Sequence, residues 1–220
     1  MPLTLPQAVL WDLDGTLIDS EHYWLSAERR LAKAAGGDWT ESDGQALIGM
    51  SLYESSRIIN EKLEIAHGVE RTIELLTESV QSDLRQQIPW RPGALELLLE
   101  LRERGIKTAL VTMSMHRMAQ TVADSIGFDA FDLVLGGDQV RYGKPHPEPY
   151  LRAAELLGVD IRHCVAIEDS VSGLASAEAS GAVAIGVPNM VPLPAKPDRI
   201  IWPTLKLSLI HISEPTRRYA

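Results

Sequence analysis

The sequence predicts an α/β fold, a doubly wound parallel sheet interrupted by an inserted all-helical segment. Three observations carry that expectation. Short apolar runs alternate with helical patterns along the chain, as in successive βαβ units. The runs show no polar/apolar alternation, as expected of strands buried on both faces. From Glu21 to Gln87 only helical periodicity occurs, a stretch too long for a simple crossover.

In chain order, the first strand is the apolar run Ala8–Trp11. The helical interval follows, with a strict capping-box pattern at Ser51–Glu54 and a looser one at Thr40–Asp43. Its hinges are read at Leu17–Ser20 and at the proline-bracketed Ile88–Pro92. Pro92 then opens a helix over Gly93–Arg104 that Gly105 closes. Strand Ile106–Thr112 and helix Arg117–Ile126, closed by Gly127, come next. Strand Leu133–Leu135 precedes helix Glu148–Leu157, closed by Gly158. Strand Cys164–Ile167 precedes helix Val171–Ser180, closed by Gly181, and the strand Val183–Val187 follows. Arg199–Trp202 reads as an edge strand. The expected organisation is a core from residues 1–18 and 89–206, a helical cap from 19–88, and a tail at 207–220. That tail lacks a coherent apolar face, carries Pro215 and reads as a non-native extension from which no functional residue is expected.

Composition narrows the partners. With 21 Lys+Arg against 30 Asp+Glu the net charge is −9, and no basic cluster occurs, which argues against nucleic acid or an anionic membrane. No apolar run is long enough to span a bilayer, and no secretory signal opens the chain, so a cytoplasmic location is expected. The single cysteine, Cys164, falls in an apolar run and reads as a small core residue.

Four places hold residues that could carry chemistry. Asp12 and Asp14, in Asp12-Leu13-Asp14-Gly15-Thr16, end the first strand. Open parallel sheets bind ligands beyond the carboxyl ends of their strands, and two acids there are costly to pack unless paired or bound to a cation. An Asp-Gly turn with a capping carboxylate accounts equally well for that pair alone. The second strand ends in Thr112-Met113-Ser114, whose hydroxyls and amides could hold an anion or simply cap the next helix. Lys144 stands between Gly143 and Pro145 just before a helix, a place where lysines are usually solvated. Glu168 and Asp169 directly follow a buried strand, and a hard cation with oxygen ligands would explain them.

The order and spacing of DLDGT, the Thr112 turn, Lys144 and Glu168-Asp169 resemble the haloacid dehalogenase-like superfamily over nearly the whole chain apart from the tail. The insertion after DLDGTLIDSE resembles that family's type-1 cap, and GDQVRYGKPHPEPY and IEDSVSGLASAEASGA resemble its phosphatase and phosphomutase branch. The resemblance implies a Rossmann-like core and Mg2+-dependent phosphoryl transfer. It implies that Asp12 is the nucleophile forming an aspartyl-phosphate, and that Asp14 protonates the leaving alcohol and later activates water. Thr112 and the amides near Met113 and Ser114 would grip phosphoryl oxygens, and Lys144 would neutralise charge between nucleophile and phosphate. The metal would be held by Asp12, Asp14 through its main-chain carbonyl, Glu168 and Asp169. Asp14 further implies phosphoryl transfer over carbon–halogen cleavage, because the family's dehalogenases lack an acid two residues after the nucleophile.

The resemblance also bears on substrate. The family's beta-phosphoglucomutases place a cap arginine after Gly-x-Ser, whereas Gly49-Met50-Ser51 is followed here by Leu52. They carry a cap histidine where this chain has Trp24. Both departures favour a phosphatase over a phosphomutase. DSEHYW resembles the DSEPLW of members acting on sugar or polyol phosphates, so Trp24 and Gly49 are expected near a small phosphorylated metabolite; Trp24 as a packing anchor of its helix is the equal alternative. A monomer or weak homodimer is expected. A non-enzymatic phospho-acceptor module is the remote alternative, disfavoured because Leu133–Leu135 leads into Gly136-Gly137-Asp138 and because of the long insertion.

Overall fold

The computed structural model describes residues 5–48, 50–197 and 199–206. Gly49 and the segment 207–220 lie outside the described residues, so the expectations placed on them have no structural counterpart. In chain order the elements are β1 (Ala8–Trp11), α1 (Glu21–Ala34), α2 (Glu41–Gln45), α3 (Leu52–Lys62) and α4 (Val69–Gln86). They continue with α5 (Ala94–Glu103), β2 (Lys107–Val111), α6 (His116–Asp124), β3 (Leu133–Leu135) and α7 (Glu148–Leu157). The last described elements are β4 (Cys164–Glu168), α8 (Val171–Ser180), β5 (Val183–Gly186) and the two-residue β6 (Ile200–Ile201). Two compact units emerge, one comprising the residues up to Asp19 and from Trp90 onward, the other Ser20–Pro89.

In the first unit the strands form one six-stranded sheet in the order β3-β2-β1-β4-β5-β6, and every neighbouring pair is parallel. The absence of alternation has a direct cause. Ala8, Leu10, Ala109, Val111, Cys164 and Ala166 bury one face under Tyr150, Ala153 and Leu157 of α7, and Val9, Trp11, Leu110, Val165 and Ile167 are buried as well. Cys164 is a free, buried thiol within that core. Helices α7 and α8 end on Gly158 and Gly181 in the left-handed conformation; α6 stops earlier than expected, at Asp124 with Ser125 as a right-handed cap.

The second unit contains α1 to α4 and, among the described residues, no strand. Its caps reverse the ranking drawn from the sequence. Thr40 and Asp43 complete a reciprocal capping box. At Ser51 the hydroxyl accepts from the Glu54 amide at 3.2 Å while donating to the Glu54 carboxylate at 3.1 Å. No described helix is long and apolar enough to cross a membrane.

A buried acid gives this unit a pH dependence. Glu28 on α1 accepts a 2.8 Å hydrogen bond from the Trp39 indole, yet burial outweighs that bond and pushes its carboxyl up to about 7 from an ordinary 4.5. An acid raised by folding contributes its full stability below its unfolded value and loses it as pH rises through the folded one. Glu28→Gln keeps an acceptor for Trp39 and removes the loss. It is expected to leave stability nearly unchanged at pH 4.5 and to raise it by about 2–3 kcal/mol at pH 8.5. Urea unfolding of both proteins at the two pH values checks this, and equal differences at both would refute it.

Candidate active site

Strand order turns around at β1, because the chain leaves it for β2 and β3 on one side and returns to β4 and β5 on the other. Such a switch point opens a crevice at the carboxyl ends of the strands. The register pairs Trp11 with Leu110 on one side and Ile167 on the other. The residues that follow therefore arrive together, and the Asp12 amide extends the ladder by donating to the Ile167 carbonyl at 3.0 Å.

Lys144 is the hub of this edge. Its ammonium lies 2.7 Å from Asp12 Oδ1, 2.6 Å from Glu168 Oε1 and 2.8 Å from the Val111 carbonyl. The lysine side chain is 4% exposed and that of Glu168 0%, so the solvated-surface reading of Lys144 does not hold. Burial opposes its charge, but Asp12 and Glu168 outweigh burial and hold the ammonium above the usual lysine value. Burial first, and then the neighbouring Glu168 charge, raise the Asp12 carboxyl against the pull of Lys144. The buried Tyr150 hydroxyl donates to Glu168 Oε1 at 2.6 Å, and its ring lies 5.1 Å from the ammonium. Burial, then the Glu168 and Asp12 charges, keep that phenol protonated, so it acts as a donor. Ser170 donates to Glu168 Oε2 at 3.2 Å and caps α8 by accepting from the Gly173 amide. Gly173 is required by this approach, since a Cβ there would sit 2.0 Å from the Glu168 carboxylate.

Asp169 packs against the turn after β1. Gly15 has φ +82°, and a Cβ on it would meet Asp169 Oδ2 at 1.9 Å, so both backbone conformation and space demand glycine. One oxygen each from Asp12, Glu168 and Asp169 lie within 4.8 Å of one another. The Asp14 carboxylate stands apart from that trio. It accepts from the Ser114 hydroxyl at 2.6 Å, with Thr112 Oγ1 at 3.5 Å. Thr112 Oγ1 also accepts from the Ser114 amide at 3.0 Å. Met113 supports the lysine loop, its sulfur taking the Lys144 amide at 3.4 Å.

Of the residues singled out in the sequence, Asp12, Asp14, Thr112, Met113, Ser114, Lys144, Glu168 and Asp169 thus belong to one neighbourhood of the first unit. Trp24 is half-buried on α1 in the second unit. Tyr150 escapes a reading of the sequence, where it is one more apolar position of α7. The available signal was chemical, in that a glutamate ending a buried strand needs more donors than one lysine supplies.

Comparison with known proteins gives a consistent result. A family model described as haloacid dehalogenase-like hydrolase matches residues 6–181. The chain is 34% identical over 176 residues to a phosphorylated carbohydrates phosphatase of Thermotoga maritima, covering 80% of this chain and 82% of that protein. It is 31% identical to hexitol phosphatase B of Escherichia coli, covering 91% of each. Among solved structures, the beta-phosphoglucomutase of Clostridium difficile superposes with a TM-score of 0.78 at 26% identity, covering 96% of both chains.

Proposed function

Because this chain belongs to the haloacid dehalogenase-like hydrolases, in the branch of phosphatases and beta-phosphoglucomutases, we propose that it is a Mg2+-dependent phosphatase acting on a small sugar or polyol phosphate through an aspartyl-phosphate. The observation that carries this reading is the convergence of Asp12, Glu168 and Asp169, the first two buried and ion-paired to the Lys144 ammonium. Two buried carboxylates sharing the Lys144 ammonium carry more negative than positive charge, which burial makes costly. An all-oxygen donor set of this kind suits a hard dication, which Asp12, Asp169 and the Asp14 main-chain carbonyl would hold, with Glu168 beside them. When bound, the ion screens the repulsion between an anionic nucleophile and a phosphate dianion.

The remaining steps fall to side chains. An Asp12 oxygen attacks phosphorus, the bond from phosphorus to the ester oxygen breaks, and Asp14 hands its proton to the departing alkoxide. Lys144 and the Thr112 hydroxyl, with the Met113 amide, hold the phosphoryl oxygens, while the Ser114 amide is taken up by Thr112 Oγ1. Asp14, now a carboxylate, takes a proton from the water that attacks phosphorus. The bond from phosphorus to Asp12 then breaks, phosphate leaves and Asp12 is regenerated. The phosphatase and hexitol phosphatase relatives support the substrate class, and Leu52 in place of the mutase arginine supports hydrolysis over phosphate relocation.

A panel of sugar, polyol and nucleotide monophosphates assayed for phosphate release tests this. The highest kcat/KM is expected for a sugar or polyol phosphate, with activity abolished by EDTA and restored by Mg2+. Independently of turnover, MgCl2 should raise the melting temperature of the wild type and not that of Asp169→Asn. EDTA-resistant turnover would overturn the metal assignment, a nucleotide preference the substrate class, and consumption of hexose 1-phosphate without matching phosphate release the hydrolytic reading.

A further inference from the structure

The turn that carries Asp14 is closed almost entirely on itself. The Gly15 amide donates to the Ile18 carbonyl at 2.8 Å, and the amides of Thr16, Leu17 and Ile18 all converge on the Leu13 carbonyl at 3.3, 2.9 and 3.1 Å. The Gly15 carbonyl faces the other way and takes its donor from far along the chain, Arg91 Nη1 at 2.9 Å. The same guanidinium gives Nη2 to the Pro188 carbonyl just after β5, at 3.0 Å. The Arg91 amide donates to the Leu17 carbonyl at 3.0 Å. The neighbouring Asn189 side chain donates to Asp19 at 3.1 Å. Arg91 therefore ties the exit from β1, the re-entry of the chain at Trp90 and the loop after β5 into one frame. A planar guanidinium suits this task, because its donors diverge at fixed angles toward two separate acceptors.

We propose that Arg91 is a positioning residue for phosphoryl transfer, which holds the turn from Leu13 to Ile18 so that the Asp14 carboxyl meets the leaving oxygen. This role for Arg91 rests on the reading of Asp14 as the proton donor, and the experiment separates the two.

A sugar or polyol alkoxide needs a proton to leave, whereas p-nitrophenolate does not. The quantity to compare is kcat/KM, which covers the steps through departure of the leaving group and omits the later hydrolysis common to both esters. For Arg91→Met, kcat/KM for a hexitol phosphate, or for the best alkyl ester of the panel, is expected to fall roughly 10–100-fold, and that for p-nitrophenyl phosphate less than about 3-fold. Arg91→Lys, which keeps the charge but cannot span both carbonyls, should fall between and serves as the test protein if Arg91→Met melts early. Asp14→Asn runs alongside and should show the same selectivity in stronger form. Equal losses on both esters, or none, in the Arg91 variants while Asp14→Asn remains selective would overturn the role of Arg91 alone. An unselective Asp14→Asn would overturn the assignment of Asp14, and the role of Arg91 with it.

Discussion

Asp12→Asn is expected to lower kcat by a factor of about 10⁴ or more while leaving the fold intact, because the carboxylate is the group that forms the bond to phosphorus. The amide has nearly the same shape and its oxygen still accepts from Lys144, so the 2.7 Å contact survives the change. What disappears is the nucleophile's charge. The two consequences point in opposite directions. Removing one of the three clustered carboxylates relieves repulsion in a buried site, so without metal the melting temperature should hold or rise as turnover vanishes. Acid-quenching the wild type during turnover with ³²P-labelled substrate should trap label on the protein, and Asp12→Asn should trap none. Substantial activity in Asp12→Asn would overturn the covalent route, and a variant that is inactive only because it unfolds would show itself in the melting curve.

How far the site could be read in advance depends on the range of the interaction involved. Strand identity was legible, because burial on both faces leaves a local signature in Ala8–Trp11 and Cys164–Glu168. The acids at strand ends were legible for a similar reason, since parallel register carries each residue after a strand to one common edge. The partners were not. Lys144 reads as surface on local grounds, and its burial follows from partners remote in sequence, Asp12, Glu168 and the Val111 carbonyl. Ser114 reads as an anion-binding hydroxyl or a cap, yet its 2.6 Å bond goes to Asp14. Arg91 lies in a hinge, where a charged residue is ordinary, and nothing local points to carbonyls at positions 15 and 188. Cap strength is misread from sequence because the motif records residue types and not rotamers: Glu54 turns to the Ser51 hydroxyl, while Asp43 completes the box at Thr40.

Lys144→Met should cost both stability and activity, and a second substitution should return only the first. With the ammonium gone, Asp12 and Glu168 face each other across a buried site, and Tyr150 and Ser170 remain as neutral donors to Glu168. Removing one partner of a buried ion pair typically costs about 3–5 kcal/mol, because the charge left behind has neither water nor a counter-ion. Glu168→Gln in the same chain removes that stranded charge while keeping an acceptor for the Tyr150 hydroxyl, so the double variant is expected to recover about half or more of the loss. Activity should stay down by a factor of about 10²–10³ in both, since neither restores a cation beside the transferring phosphoryl group. Urea unfolding in EDTA isolates the contribution of the chain from that of any bound ion, and turnover in saturating Mg2+ measures the chemistry. If Lys144→Met/Glu168→Gln is no more stable than Lys144→Met, the charge network is not what Lys144 stabilises; if Lys144→Met turns over normally, the phosphoryl oxygens have another partner.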